Sequence, residues 1–206
     1  MTSIKIIAAF LVMTVSFSYA FPPLPGYKVG DKAKNFELKN IDGKMYSLTG
    51  DPSVKGAIVI FTCNHCPFSQ AYEERIIDLH KEFARKGYPV IAINSNDKDV
   101  EPQDSYDEMI KRSAEHQYPF PYLYDETQSV AMAFGAGRTP HVFILKKVGA
   151  DFFIQYIGAI DDNADDPAAV TRHYVNDAVN ALLNNRDVPI TFTKAIGCTI
   201  KWKKTK

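Results

Sequence analysis

The chain has 206 residues, and its 24 basic and 24 acidic side chains give a formal net charge of zero. This balance excludes the basic surface that nucleic-acid binding requires. Three cysteines are too few to build a disulfide scaffold, so the fold must rest on an apolar core, which 46% hydrophobic residues can supply for a single domain.

The first twenty residues have the pattern of a secretory signal peptide. Lys5 gives a positive start, residues 6–15 are mostly apolar, and Ser18-Tyr19-Ala20 forms a small-residue cleavage site. This pattern predicts a signal peptide over residues 1–20, export to the periplasm or out of the cell, and a domain over residues 21–184. No other stretch is long and apolar enough to cross a bilayer.

The predicted strands and helices alternate along the chain. Short, β-branched apolar runs indicate buried strands, and longer runs with apolar residues at every third or fourth position indicate helices. The order strand, helix, strand across residues 57–94 predicts a right-handed parallel crossover. In chain order the predicted elements are a β-hairpin of residues 36–38 and 45–48 around Asp42-Gly43, a strand 57–61, a helix 69–86, a strand 89–94, a helix 105–116 capped by Asp104, a short strand ending at Tyr124, a helix 127–134, antiparallel strands 141–145 and 152–157, and a last helix opened by Asp166-Pro167 and continuing through Leu182.

Two cysteines, Cys63 and Cys66, stand where the first buried strand ends and the first helix begins. The free N–H groups and dipole of a helix start favour a negative charge, so a Cys63 thiolate at the N-cap should have a lowered pKa. Two intervening residues bring the second sulfur within bonding reach of the first. The pattern predicts a thiol–disulfide site; the alternatives are a structural disulfide or half of a zinc site.

His65 lies between these two cysteines. A cationic or hydrogen-bonding imidazole beside Cys63 would stabilise the thiolate further. A more stable thiolate raises the reduction potential, which favours an oxidising or isomerising protein. The alternative is that His65 is only an exposed residue of the first helical turn.

The motif Cys63-Asn64-His65-Cys66 after a buried strand, with Arg138-Thr139-Pro140 before a later strand, resembles the thioredoxin superfamily over residues 30–183. The N-terminal hairpin and the helical insertion at residues 105–117 resemble its redoxin branch, which holds exported thiol–disulfide oxidoreductases and the peroxiredoxins. The resemblance implies an α/β, thioredoxin-like three-layer fold. That fold has a central mixed sheet with helices on both faces, an N-terminal β-hairpin and a helical insertion.

The resemblance also implies roles for single residues. Cys63 matches the exposed attacking cysteine, and Cys66 matches the buried resolving cysteine. Pro140 matches the cis-proline that faces the disulfide, and Thr139 the residue whose backbone pairs with an extended substrate. The implied protein is an exported, monomeric oxidoreductase that acts on protein thiols and disulfides with a redox partner, without a metal or an organic cofactor.

The chain departs from the thioredoxin pattern at two positions. Thr62 stands where thioredoxins have a tryptophan before the first cysteine, and Ala57 stands where they bury an aspartate as a proton acceptor. No acidic residue lies between these two positions. Deprotonation of Cys66 must therefore use water or another group.

Three other functions stay open. Peroxiredoxins use Pro-x-x-x-Thr-x-x-Cys with a separate arginine; here Thr62 is adjacent to Cys63, although Arg138 is available. Cys63 and Cys66 with His141 would form a soft-metal site such as copper prefers. A binding module could also use the Thr139-Pro140 groove without redox turnover.

The tail, residues 185–206, has no helical period. Its ending, Gly197-Cys-Thr-Ile-Lys-Trp202, resembles that of exported peroxiredoxin-like proteins of the thioredoxin superfamily. Ile196, Cys198, Ile200 and Trp202 share one parity, which predicts an extended edge segment with these side chains turned inward. We therefore expect an unpaired, buried and structural Cys198, and only a Cys63–Cys66 bond in the oxidised protein. The alternatives for Cys198 are pairing between chains and exchange with the active site.

Overall fold

The computed structural model describes residues 26–204, so the predicted signal peptide lies outside the described residues. Within this range no helix has the length and apolar character needed to span a membrane. In chain order the strands and helices are β1 (Lys32–Ala33), β2 (Glu37–Asn40), β3 (Met45–Ser47), β4 (Gly56–Phe61), α1 (Pro67–Phe83), β5 (Val90–Asn94), α2 (Tyr106–His116), β6 (Tyr122–Tyr124), α3 (Ser129–Phe134), β7 (Arg138–Thr139), β8 (His141–Val148), β9 (Asp151–Gly158), α4 (Tyr174–Leu183) and β10 (Cys198–Thr199).

Eight strands form one mixed sheet in the order β1-β9-β8-β4-β5-β6-β2-β3. The strand β4 lies near its centre, parallel to β5 and antiparallel to β8. The predicted hairpin is present as β2 and β3, and the predicted antiparallel pair as β8 and β9. The mixed sheet and its parallel crossover are thus confirmed.

The strand β4 is buried on both faces, as its unbroken apolar run requires. Ile58 and Ile60 pack into a core cluster with α1 and α4, whereas Val59 and Phe61 pack into a second cluster with α3. Helices therefore cover both faces of the sheet, and the three-layer arrangement is confirmed. This packing fixes the end of β4, and with it the loop that carries the two cysteines.

The starts of α1 and α2, the helices nearest the cysteines, differ from the predicted ones. The N-cap of α1 is Cys66 rather than Cys63, because Cys66 has extended backbone angles and Pro67 occupies the first helical position. The N-cap of α2 is Ser105 rather than Asp104, which ends a preceding 3-10 turn and is fully buried. Both shifts change the surroundings of the cysteines.

The last helix is shorter than predicted. Pro167–Ala169 form only a 3-10 turn, and α4 begins at Tyr174. The Asp162 carboxylate accepts hydrogen bonds from the backbone N–H groups of Thr171 and Arg172. These bonds hold the intervening chain in a loop, an alternative to helix that short acidic side chains often provide.

The tail runs back along the domain, and β10 pairs with β7 in a separate two-stranded sheet. Ile200 is buried, and Trp202 packs against the same core cluster while partly exposed. Ile196 is 56% exposed, so its predicted inward position is wrong. The regular alternation of the tail begins only at Cys198, the first residue of β10.

Candidate active site

Cys63 lies two residues beyond the end of β4, and its sulfur is surrounded by polar side chains. The Cys63 Sγ is 3.3 Å from Thr139 Oγ1, 3.9 Å from Ser69 Oγ and 3.9 Å from His65 Nδ1. Only 4% of Cys63 is exposed, so the expectation of an exposed attacking cysteine is wrong in this state. The side chains that contact the sulfur also cover it.

The loop opposite the cysteines contains a cis peptide bond between Thr139 and Pro140, as the resemblance implied. The carbonyl oxygen of Thr139 lies 3.4 Å from Cys66 Sγ, and the hydroxyl group of Thr139 contacts Cys63. The backbone of Thr139 also pairs with Cys198 in an antiparallel bridge. The edge predicted to pair with an extended substrate is therefore occupied by the tail of the chain itself.

The structure contains a disulfide bond between Cys66 and Cys198, with the two Cα atoms 6.1 Å apart, and a free Cys63. The prediction of an unpaired, buried and structural Cys198 is wrong, as is the expected oxidised bond between Cys63 and Cys66 in this state. The register of β10 against β7 places Cys198 opposite Thr139, which itself contacts Cys66. Side-chain parity predicted that Cys198 packs inward but could not name the sulfur that it meets.

His65 lies between the Cys63 sulfur and two carboxylates. Its Nδ1 is 2.5 Å from Asp104 Oδ2, and its Nε2 is 3.6 Å from Glu101 Oε2. The contact with Cys63, together with the Asp104 charge, raises the pKa of His65 to about 9, although partial burial acts in the opposite direction. A pKa of about 9 makes the His65 ring an imidazolium at neutral pH, 3.9 Å from the Cys63 sulfur. The catalytic role of His65 stays a prediction.

The arrangement is not a nucleophile–histidine–acid triad, because Cys63 and Asp104 both face the same ring nitrogen, Nδ1. A triad histidine takes the proton of the nucleophile on one nitrogen and is oriented through the other. Here the geometry places a positively charged ring next to the sulfur. Such a charge stabilises a thiolate rather than relaying its proton.

Asp104 is the residue of the candidate site that sequence reasoning missed. Its carboxylate is fully buried and accepts hydrogen bonds from the backbone N–H groups of Asn64 and His65, from the Asn96 amide and from the His65 ring. A buried acid is thus present in the site, but it comes from a loop. Thioredoxins instead place their buried acid at the strand position that Ala57 occupies here. No periodicity connects Asp104 with Asn64, forty positions earlier. An aspartate directly before a helix predicts only an ordinary N-cap.

One group of possible metal ligands occurs in the described part of the chain. Atoms of Cys63, His65 and Asp104 lie within 4.8 Å of one another. The set considered from the sequence differs, since Cys66 is bonded to Cys198 and offers no free thiolate. His141 begins β8, as predicted, and burial lowers its pKa to about 4. The copper hypothesis thus loses one of its three ligands in this state.

We expect His65→Asn to slow the alkylation of Cys63 by iodoacetamide at pH 7 about tenfold, because the thiolate loses the cation beside it. The measurement is the pseudo-first-order rate from mass spectrometry of the Cys63 peptide. His116→Asn is the matched control, because His116 lies beside Glu73 and away from the cysteines. An unchanged rate in His65→Asn would remove His65 from the activation of Cys63.

A cysteine between a central strand and a helix, facing a cis-proline loop, defines a redox protein of the thioredoxin fold. Residues 29–160 match the model of the AhpC/TSA family. The chain belongs to that family, and the predicted redoxin branch is confirmed.

Known proteins of related sequence agree with this class. Thiol-disulfide oxidoreductase ResA of Oceanobacillus iheyensis is 25% identical over 126 residues, which cover 60% of this chain and 62% of that protein. The match thus spans less than two thirds of the length of this curated relative.

Solved structures share the fold. An uncharacterized conserved protein from Geobacillus kaustophilus has 39% identity and a TM-score of 0.80, over 87% of this chain and 94% of that one. The pneumococcal exposed lipoprotein thioredoxin Etrx1 from Streptococcus pneumoniae has 20% identity and a TM-score of 0.54, over 74% of this chain and 99% of that one. At this lower identity the likeness shows the fold alone.

Proposed function

We propose that the protein is an exported protein thiol–disulfide oxidoreductase in which Cys63 attacks and Cys66 resolves. One observation carries the proposal: the Cys63 thiol faces the Thr139-Pro140 loop and lies 3.9 Å from an imidazolium that a buried carboxylate holds in place. A thiolate next to a fixed cation is the reactive form of a redox cysteine.

In the reducing direction the Cys63 thiolate attacks a substrate disulfide, and one substrate sulfur leaves as a thiolate that takes a proton from water. The reduced Cys66 thiolate then attacks the Cys63 sulfur of the mixed disulfide and expels the second substrate sulfur. Two electrons pass to the substrate, and the protein keeps a Cys63–Cys66 disulfide. The reverse sequence oxidises a substrate dithiol. The imidazolium of His65 favours the reduced protein and therefore the oxidising or isomerising direction.

The Thr139 backbone supports a protein substrate. Its edge pairs antiparallel with an extended segment, β10, and this pairing supports the same geometry for an extended substrate. The Thr139 hydroxyl and carbonyl groups also contact the two cysteine sulfurs. A substrate paired with this edge would bring its own sulfur to Cys63.

Export is part of the proposal. The signal-peptide pattern of residues 1–20 motivates it. The disulfide between Cys66 and Cys198 supports it, because such bonds persist in oxidising compartments and are rare where glutathione keeps thiols reduced.

The test is a trap for mixed disulfides. Cys66→Ser removes the resolving sulfur, so we expect substrate proteins to stay covalently attached through Cys63, visible as reductant-sensitive adducts on a non-reducing gel. The Cys63→Ser/Cys66→Ser double variant is the control and should show only the background of Cys198. Adducts through Cys66 in Cys63→Ser would reverse the two roles.

A thiol-dependent peroxidase is the second candidate. The 4% exposure of Cys63 and the hydroxyl groups of Thr139 and Ser69 around its sulfur suit a small substrate such as hydrogen peroxide. The arginine that this chemistry needs is engaged elsewhere, because Arg138 donates a hydrogen bond to the Gly197 carbonyl. The oxidoreductase proposal is therefore preferred.

A further inference from the structure

We infer that Cys198 is a third redox-active cysteine, and that moving the disulfide from Cys66–Cys198 to Cys63–Cys66 releases the tail from the substrate edge. The inference rests on the proposed function in one respect, the role of Cys63 as the attacking thiol. It adds a residue to the reaction and a condition for substrate access.

The tail occupies the place where an extended substrate would pair. The strand β10 is bound to β7 with Cys198 opposite Thr139. Gly197 lies so close to this loop that a Cβ atom there would be 2.1 Å from the Thr139 carbonyl oxygen. No second strand can pair with the same edge of Thr139 while β10 is in place. Substrate pairing at this edge therefore requires the tail to leave.

The three sulfurs meet around one residue. The Cys63 Sγ contacts the Thr139 hydroxyl at 3.3 Å, the Cys66 Sγ lies 3.4 Å from the Thr139 carbonyl oxygen, and Cys198 is in register with Thr139 across the strand pair. The free thiol and the disulfide that it would attack therefore contact the same residue, Thr139. The His65 ring lies 3.9 Å from this thiol and in contact with the Asp104 carboxylate.

The exchange needs no outside oxidant. The Cys63 thiolate attacks the Cys66 sulfur, the Cys66–Cys198 bond breaks as the Cys63–Cys66 bond forms, and Cys198 leaves as a thiolate that takes a proton from water. The number of disulfides and thiols is unchanged. The product is the oxidised Cys63–Cys66 pair that the proposed function requires.

Noncovalent contacts hold the tail after the bond breaks, so its release is an equilibrium. Ile200 is 3% exposed, the Lys201 N–H group donates to the Asn96 side chain at 2.8 Å, and the Lys201 carbonyl accepts from the Gln128 amide at 2.8 Å. The disulfide adds an intramolecular link to these contacts and so raises the bound fraction. Breaking the link shifts the tail toward the released state.

The experiment follows the labelling of Cys198 by N-ethylmaleimide in protein that carries one disulfide, with no reductant and no substrate. We expect Cys198 to be labelled in the wild type during its transient release, and at least about tenfold more slowly in Cys63→Ser, where no internal thiol can attack Cys66. Peptide mass spectrometry identifies the labelled cysteine. Equal labelling of Cys198 in the two proteins would overturn the inference.

A second pair of variants tests the release without changing a cysteine. Ile200→Ala removes a buried anchor and should raise Cys198 labelling about tenfold or more. It should also shift the emission of Trp202, the only tryptophan in the sequence, toward the red. Ile196→Ala is the matched control, because Ile196 is 56% exposed. Equal labelling and emission in both variants would show that tail docking does not govern the reactivity of Cys198.

These outcomes are separate from the test of the oxidoreductase proposal. Labelling of Cys198 that depends on Cys63, without mixed disulfides in Cys66→Ser, would leave the exchange standing and remove the proposed protein substrate. Mixed disulfides in Cys66→Ser, without Cys63-dependent labelling of Cys198, would support the oxidoreductase proposal and remove the exchange.

Discussion

Cys63→Ser is expected to reduce the rate of protein disulfide exchange on the order of 10³-fold or more, because a serine hydroxyl cannot form the mixed disulfide. The measurement is the reduction of insulin by the protein under a thiol regeneration system, reported as an initial rate. Serine is nearly the same size as cysteine, so the variant should keep its fold, which near-ultraviolet circular dichroism checks. Retention of a substantial rate in the folded variant would remove Cys63 as the attacking residue.

The wild type and Cys63→Ser also decide between a thiol–disulfide oxidoreductase and a peroxidase. Hydrogen peroxide consumption by the reduced wild type should be slow compared with disulfide exchange. Rapid, catalytic peroxide turnover that disappears in Cys63→Ser would make the protein a peroxidase. In that case Thr139 and Ser69, which surround the sulfur, would have to polarise the peroxide.

Asp104→Asn is expected to lower the free energy of unfolding by about 2–4 kcal/mol at neutral pH. The carboxylate is fully buried and accepts from two backbone N–H groups, one amide and one imidazolium. An amide of the same shape must turn its NH₂ group toward one of these donors, which leaves the partly buried His65 cation with only the Glu101 carboxylate at 3.6 Å as counter-charge. Urea unfolding measures the change. Asp107→Asn is the control, since Asp107 is exposed, and it should cost less than about 1 kcal/mol.

The pH dependence of stability provides a second measurement on this variant. The pKa of His65 is raised in the folded state to about 9 from an ordinary value of 6.5, so the folded protein binds more protons than the unfolded chain between these values. The stabilisation from His65 is therefore fully present below pH 6.5 and is lost as the pH rises through 9. In Asp104→Asn this decline should become shallower, because the imidazolium has lost a partner. An identical decline in both proteins would show that Asp104 does not set the charge of His65.

The sequence was sufficient for the parts of the fold that depend on local pattern. The apolar run of β4 and the amphipathic stripe of α1 could be recognised because a buried strand and a half-buried helix impose different periods. The place of Cys63 and Cys66 followed from the junction between these elements. The cis bond before Pro140 came from the resemblance, since no local pattern distinguishes it from a trans bond.

The contacts that complete the site could not be predicted in this way. The bond between Cys66 and Cys198 joins residues 132 positions apart, and its register depends on how β10 meets β7. The sequence around Asp104 predicts only a helix cap, because capping is the commonest use of an aspartate before a helix. The Cys66–Cys198 bond and the position of Asp104 both depend on how distant loops pack. That packing is determined by the whole core and not by any short stretch of sequence.

The pairing of β10 with β7 makes the tail segment around Cys198 part of the surface that carries Cys63 and Cys66. The eight-stranded sheet contains neither of these strands, so its own hydrogen bonds do not require the last residues. A purification tag or fusion partner attached at this end would be tethered beside the Thr139-Pro140 loop, where it would compete with incoming protein or hinder the motion of Trp202.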